Sequence, residues 1–273
     1  MENETLEGAA FRANGVITLT TDFGMSEPYV GIMKGVILAR CPSSHLVDLT
    51  HQVPPFQPGL AGFWLARAWQ HFAPGTLHLA VVDPGVGTDR AMVLLELGGQ
   101  VFVAPDNGLL DPVFRSATGA RWRTFGRADV VHILPPEVSH TFHGRDVFAP
   151  IVAEIAARRL GISNLGQIRA VAPPPASPIG SREGRIVGAD HFGNLVTDIP
   201  AECLNGLITP VVLFRGQRIA LHPSYGFVPA GTVLGLVNSW GTVEIAMAQG
   251  NVQQALQAAP GEAVAVAESI PPT

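Results

Sequence analysis

Through the first 170 residues, runs of apolar, β-branched residues alternate with stretches whose apolar positions recur every three to four residues. Val16–Thr20 reads as a strand. Ser26-Glu27-Pro28 then offers an N-cap and a first-turn proline for a helix reaching Arg40. His45–Thr50 is a second strand, and Leu60, Phe63, Trp64, Ala68 and Phe72 place a helix over Pro58–Phe72. Thr76–Val82 is a third strand. Met92–Leu97 and Val101–Ala104 form a hairpin around Gly98-Gly99, and Asp146–Leu160 closes the region as a helix. Strands alternating with helices predict an α/β layer domain with a largely parallel sheet, over residues 15–172.

The rhythm breaks at Ala170–Pro178, "AVAPPPASP", where four prolines and no periodicity mark a linker, placed at residues 173–180. Short strands follow at Gly184–Ala189, Leu195–Ile199, Val211–Phe214, Gln217–Leu221, Thr232–Val237, Thr242–Ala246 and Glu262–Ala267. That spacing predicts a small all-β barrel or sandwich over residues 181–273.

Composition narrows the chemistry. With 47% apolar and 14% charged residues in 273, the chain can bury a substantial core. A net charge of -5 and no basic stripe argue against a nucleic-acid partner. Of the seventeen basic residues only Lys34 is a lysine. Cys41 and Cys203 stand far apart in no CxxC spacing, so an intracellular, cytoplasmic setting is the default. The start, with Glu2, Glu4 and Glu7, lacks a signal-peptide pattern, and no apolar run approaches the roughly 18 residues of a membrane span.

Polar motifs fall at strand ends. "TTDFG" ends the first strand with Asp22, and "VVDPGVGTDR" carries Asp83 past the third, with Arg90 beyond a tight turn. Ligands of open α/β sheets bind outside the carboxyl ends of strands, which puts both aspartates at the expected crevice; turn capping is the competing reading. "GVGTDR" lacks the third glycine of GxGxxG and no GK[ST] loop occurs, which disfavours a dinucleotide or nucleoside-triphosphate enzyme. "APDNGLL" reads as a helix entry. "TFHGRD" sets His143, Arg145 and Asp146 beside Gly144, which permits close backbone approach. No HExxH or comparable spacing points to a metal.

Taken in order, "TTDFG", "VVDPGVGTDR", "APDNGLL", "FHGRD", "DHFGN" (190–194) and "NSWGTVEIA" (238–246) resemble the S-adenosyl-L-methionine hydroxide adenosyltransferase family, adenosine-forming hydrolases related to fluorinase and chlorinase. The resemblance runs from about Val16 to the C-terminus. It implies an N-terminal α/β domain, a C-terminal β-barrel, and a homotrimer whose active sites lie between one subunit's N-terminal domain and its neighbour's C-terminal domain. The implied reaction is S-adenosylmethionine plus water to adenosine plus methionine, with neither metal nor cofactor.

By the same resemblance, Asp83, Arg90 and His143 match the catalytic triad that holds and polarises water, and Asp22 matches the carboxylate receiving the ribose hydroxyls. Asn194 matches the adenine-edge reader, Ser239 and Glu244 match ligand contacts, and backbone near Met247 matches an adenine contact. Asp190 and Glu27 match positions near the methionine ammonium. Phe56 and Phe192 match apolar walls, with core packing as the alternative, and Trp240 stands at a variable position near the methionine carboxylate. The carbon–halogen enzymes carry a tyrosine at the position of Asp83, and the fluoride users carry a long insertion where only Gly98-Gly99-Gln100 stands here. The hydrolase branch is therefore favoured over a halide-using adenosyl transferase, with a non-catalytic adenosine- or S-adenosylmethionine-binding module as the alternative from a different class.

Overall fold

The computed structural model describes residues 11–169 and 181–269. The chain divides into two compact units, Met1–Pro174 and Pro175–Thr273. The proline-rich stretch 170–178, read above as a linker, lies outside the described residues.

In the first unit the strands are β1 (Val16–Thr21), β2 (His45–Thr50), β3 (Leu77–Val81), β4 (Met92–Leu97), β5 (Gln100–Pro105), β6 (Arg121–Phe125) and β7 (Gln167–Arg169). They form one sheet in the order β2-β1-β3-β5-β4-β6-β7. The β2-β1-β3-β5 part is parallel, and β4, β6 and β7 join it antiparallel. Every residue of β3, β4 and β5 is buried, as expected of strands covered on both faces. Alternate side chains serve two cores. Leu77, Leu79, Leu94 and Val103 pack on one side with Met33, Ile37 and Phe148, while Ala80, Leu95, Phe102 and Ala104 pack on the other with Ala61 and Leu65. Burying a side chain such as Phe102 or Phe148 stabilises the fold by roughly 1.5–3 kcal/mol.

Helices α1 (Tyr29–Arg40) and α2 (Pro58–Ala68) therefore cover opposite faces. Since β2 and β3 flank β1 on its two sides, the chain reverses its direction of winding at β1. The crevice between the carboxyl ends of β1 and β3 is the topological switch point of this sheet, where Thr21 pairs with Val81.

Several boundaries differ from the sequence reading. Ser26 does not cap α1: its hydroxyl donates to Glu27 Oε2 at 2.7 Å, and Pro28 occupies the cap position. α2 ends at Ala68 and tightens into a 3₁₀ turn over Trp69–His71, after which Phe72 is extended. Short helices α3 (Asp111–Arg115) and α4 (Arg127–Val130) follow β5 and β6. The helix expected over Asp146–Leu160 begins earlier, as a π turn at Gly144–Phe148, continues as α5 (Ala149–Ala156), and stops where Arg158 adopts a left-handed φ of 59°. β6 and the edge strand β7 are additions to the predicted pattern. β6 has only two fully buried positions, so its apolar signal is weak.

His78, the second residue of β3, is wholly buried. Its Nδ1 lies 2.8 Å from Thr18 Oγ1 and its Nε2 2.6 Å from Gln100 Oε1, and Gln100 donates onward to the Trp69 and Phe72 carbonyls. Phe102 stacks on the imidazole at 4.5 Å. Burial pushes its pKa down to about 4.

The second unit contains β8 (Glu183–Ala189), β9 (Leu195–Pro200), β10 (Pro210–Phe214), β11 (Gln217–Ala220), β12 (Val233–Val237), β13 (Thr242–Met247) and β14 (Ala263–Glu268), with a short helix α6 (Val252–Leu256). All neighbours in the order β11-β10-β14-β8-β9-β13-β12 pair antiparallel. A bridge from Leu221 to Gly235, with the His222 amide donating to the Gly235 carbonyl at 2.8 Å, brings the two ends together into a nearly closed barrel. Its interior is filled by Ile186, Leu195, Val212, Phe214, Ile245, Val264 and their neighbours.

Candidate active site

In the first unit, three chain segments meet at the carboxyl ends of β1 and β3. Asp83 stands two residues beyond β3, and Arg90 grips it at both oxygens. Nε donates to Oδ1 at 2.6 Å and an Nη donates to Oδ2, leaving the carboxylate side chain 4% exposed. This fork-on-carboxylate pairing fixes both groups in one plane. The intervening turn is glycine-dependent. Gly87 holds a φ of 83°, and a methyl there would run into the carbonyl of His140. The turn thereby packs on the segment leading to His143. Behind it, the Asn107 side-chain amide donates to the Val82 carbonyl at 2.8 Å, so the "PDNG" turn holds the backbone just before Asp83.

His143 is buried, and its Nε2 has no hydrogen-bond partner among the described residues. Burial first, and then the positive charge of Arg90, hold the imidazole below its ordinary pKa, with the Asp83 charge acting in the opposite direction. It is neutral at pH 7, with an uncommitted nitrogen, and lies within electrostatic reach of the ion pair. Gly144 makes the close approach expected of it: a methyl there would meet Phe23 and the Met33 sulfur at 3.0 Å.

Asp22, one residue past β1, accepts from the Phe56 amide at 3.1 Å. Burial raises its pKa, the Phe56 and Asp22 amides oppose the rise, and the negative charge of Asp83 adds to it. Asp22, Asp83, Arg90 and His143 thus share one electrostatic neighbourhood. Phe56 adopts a φ of 65°, unusual outside glycine, and its ring is 74% exposed, which excludes ordinary core packing. Glu27 lies beside the Gly24 turn and is exposed.

The second unit carries a cavity of about 840 Å³. Asp190, Phe192, Asn194, Ser239, Trp240, Glu244 and Met247 all line it. Asp190 organises the "DHFGN" turn by accepting from the Phe192 and Asn194 amides at 2.9 and 2.8 Å and from the Asn194 side chain at 2.9 Å. Phe192 is 72% exposed, again excluding a core role. Glu244 is buried in the cavity wall, where burial raises its pKa against donors Tyr225 Oη at 2.8 Å and Asn238 Nδ2 at 3.1 Å. Tyr225 and Asn238 were not anticipated. Asn238 opens the "NSWGT" motif and was open to inference from it, whereas Tyr225 opens a 3₁₀ turn, Tyr225–Phe227, in a stretch without pattern.

Among the described residues no group of three or more His, Cys, Asp or Glu side chains converges as a metal site. No described helix is long and apolar enough to cross a membrane.

A polar crevice at the switch point of the first unit's sheet and a β-barrel with an acidic, aromatic-lined cavity are carried by one chain. Residues 17–166 match the S-adenosyl-L-methionine hydroxide adenosyltransferase N-terminal domain and residues 184–265 match its C-terminal domain. The chain belongs to this family. It is 35% identical over 247 residues to the (R)-S-adenosyl-L-methionine hydrolase of Thermus thermophilus, covering 86% of this chain and 93% of that one. A fluorinase from an Actinoplanes species is more distant, 25% identical over 68% of this chain and 72% of its own. Among solved structures, a conserved protein from Thermotoga maritima superposes with a TM-score of 0.81 at 32% identity, covering 92% of this chain and 100% of that one.

Proposed function

We propose that this protein hydrolyses S-adenosylmethionine to adenosine and methionine. The observation that carries the reading is the buried, neutral His143 with its unpartnered Nε2, within electrostatic reach of an Asp83 carboxylate clamped by Arg90. Such a site suits one oriented water. Asp83, its charge balanced by Arg90, accepts a hydrogen bond from the water and aims it; His143 receives the proton as the oxygen attacks. The new O–C5′ bond forms as C5′–S breaks, and the bonding pair stays on sulfur, which departs as the neutral thioether of methionine. The leaving group therefore needs no general acid. Asp22 offers two acceptor oxygens to a vicinal diol, the role assigned to the ribose.

The barrel cavity supplies the complementary recognition. Its volume lies within the range of small-molecule pockets. Phe192, Trp240 and Tyr225 offer aromatic surface for a purine, while Asp190 and Glu244 favour a cationic ligand. In keeping with the family resemblance, we also propose a homotrimer in which half-sites come from different copies, and a cytoplasmic location.

Incubation with S-adenosylmethionine in H₂¹⁸O tests the reaction. One ¹⁸O in the 5′-hydroxyl of adenosine, with equimolar methionine, is expected. Formation of 5′-chloro-5′-deoxyadenosine in chloride buffer would overturn hydrolysis in favour of halide transfer, and tight adenosine binding with no turnover would overturn catalysis altogether.

A further inference from the structure

Directly behind Asp22 runs a line of four side chains. Lys34 Nζ lies 2.6 Å from Asp48 Oδ2, His51 Nε2 lies 3.0 Å from Asp48 Oδ1, and His51 Nδ1 lies 2.8 Å from Thr21 Oγ1. Thr21 Oγ1 in turn accepts from the amide of Phe23 at 3.3 Å. His51 is buried, with a side chain 2% exposed, although its contact to Asp48 is not aligned as an ideal hydrogen bond. These residues belong to α1, β2, the loop after β2 and the end of β1. None is in the set that touches the proposed water or cavity.

The polarity of the line follows from its end group. Burial acts to raise the pKa of Asp48, and hydrogen bonds and charge from Lys34 and His51 outweigh it and hold the carboxyl below its ordinary value. A carboxylate can only accept, so the Nε2 facing it carries the proton. With the proton on Nε2, Nδ1 is the acceptor, and the Thr21 hydroxyl donates to it. That leaves the Thr21 oxygen free to accept from Phe23 N–H, the amide of the peptide joining Asp22 to Phe23. The same histidine also holds the loop through its backbone, since Gly24 N–H donates to the His51 carbonyl at 2.8 Å. Five residues on, Phe56 N–H reaches Asp22 itself.

We propose that Thr21 and His51 are positioning residues: the Lys34-Asp48-His51-Thr21 line orients the Asp22–Phe23 peptide and so aims the Asp22 carboxylate at the nucleoside diol. The proposal rests on the reading of Asp22 as the ribose acceptor given above. Because these residues act through Asp22, their loss weakens diol recognition and leaves the rest of the ligand's contacts in place.

Thr21→Val keeps the shape and removes the hydroxyl, while Thr21→Ser keeps the hydroxyl. Calorimetric binding of adenosine and of 2′,3′-dideoxyadenosine to the full chain, with steady-state hydrolysis of S-adenosylmethionine, provides the readout. Thr21→Val is expected to weaken adenosine binding and raise KM by roughly threefold to tenfold, the effect of one hydrogen bond, with kcat within about twofold. Binding of the dideoxy compound is expected to be unchanged, and Thr21→Ser is expected to restore adenosine binding. Should Thr21→Val not fold, His51→Leu against His51→Asn, whose amide oxygen replaces the Nδ1 acceptor, gives the same loss and rescue. Equal losses for both nucleosides, wild-type affinity in Thr21→Val, or failure of the rescue would overturn the positioning role. A wild-type protein that neither binds adenosine nor turns over would overturn the functional reading as well, and so is distinguished from failure of this inference alone.

Discussion

Replacing His78 by phenylalanine should remove a defined segment of the protein's pH dependence of stability. The histidine is neutral in the folded chain down to pH near 4, because burial in β3 disfavours its charged form. In the unfolded chain it titrates at about 6.5. Between those values only the unfolded state binds the proton, so stability falls as pH falls from about 6.5 and levels off below 4. At about 1.36 kcal/mol per pH unit, the full displacement amounts to about 3 kcal/mol, of which about 2 kcal/mol should be lost between pH 8 and pH 5. Phenylalanine keeps a ring against Phe102 but orphans Gln100 and Thr18, so the variant starts less stable at every pH. The diagnostic quantity is the slope. Urea unfolding at pH 5, 6, 7 and 8, followed by tryptophan fluorescence, gives both, since Trp69 lies on the segment that Gln100 holds. Other titrating groups are common to the two proteins and cancel in the difference. If His78→Phe retains the wild-type slope between pH 5 and 7 at unchanged m-value, the histidine is not carrying that dependence and the argument from its burial fails.

The proposed chemistry makes its own demands. Asp83→Asn should lower kcat by roughly 10²-fold or more with little change in KM, because it leaves the shape but removes the charge that aims the water; wild-type kcat in steady-state assays would exclude the role. His143→Ala should lower kcat by roughly 10² to 10⁴ and abolish the acidic limb of the pH–rate profile, a limb expected below pH 6.5 because the folded imidazole is held below its ordinary pKa and only its neutral form accepts a proton. Gly87→Ala should destabilise the turn and lower kcat together, since a side chain at φ 83° also meets the His140 carbonyl; melting temperature and single-turnover rate on one sample check both. Tyr225→Phe should weaken adenosine binding by roughly threefold to tenfold through the freed Glu244, measured by calorimetry, without altering the melting temperature by more than a few degrees.

The sequence alone was sufficient for the alternating α/β pattern, the change to short strands after the prolines, and the motifs bearing Asp22, Asp83, Arg90 and His143. Those features are local: periodicity in β3–β5 reflects burial on both faces, and a Pro-Gly turn after an apolar run is readable from neighbouring residues. The weakly apolar outer strands β6 and β7, and the early π turn at Gly144, escaped because their form depends on what they pack against. More consequentially, His51 and Tyr225 acquired roles that no spacing announces. A buried histidine behind Asp22 needs Asp48 and Lys34 brought from β2 and α1, and Glu244 needs Tyr225 from a 3₁₀ turn 19 residues away. Hydrogen-bond partners chosen across elements are decided by the fold, since pairing cost and desolvation depend on three-dimensional neighbours and not on order along the chain.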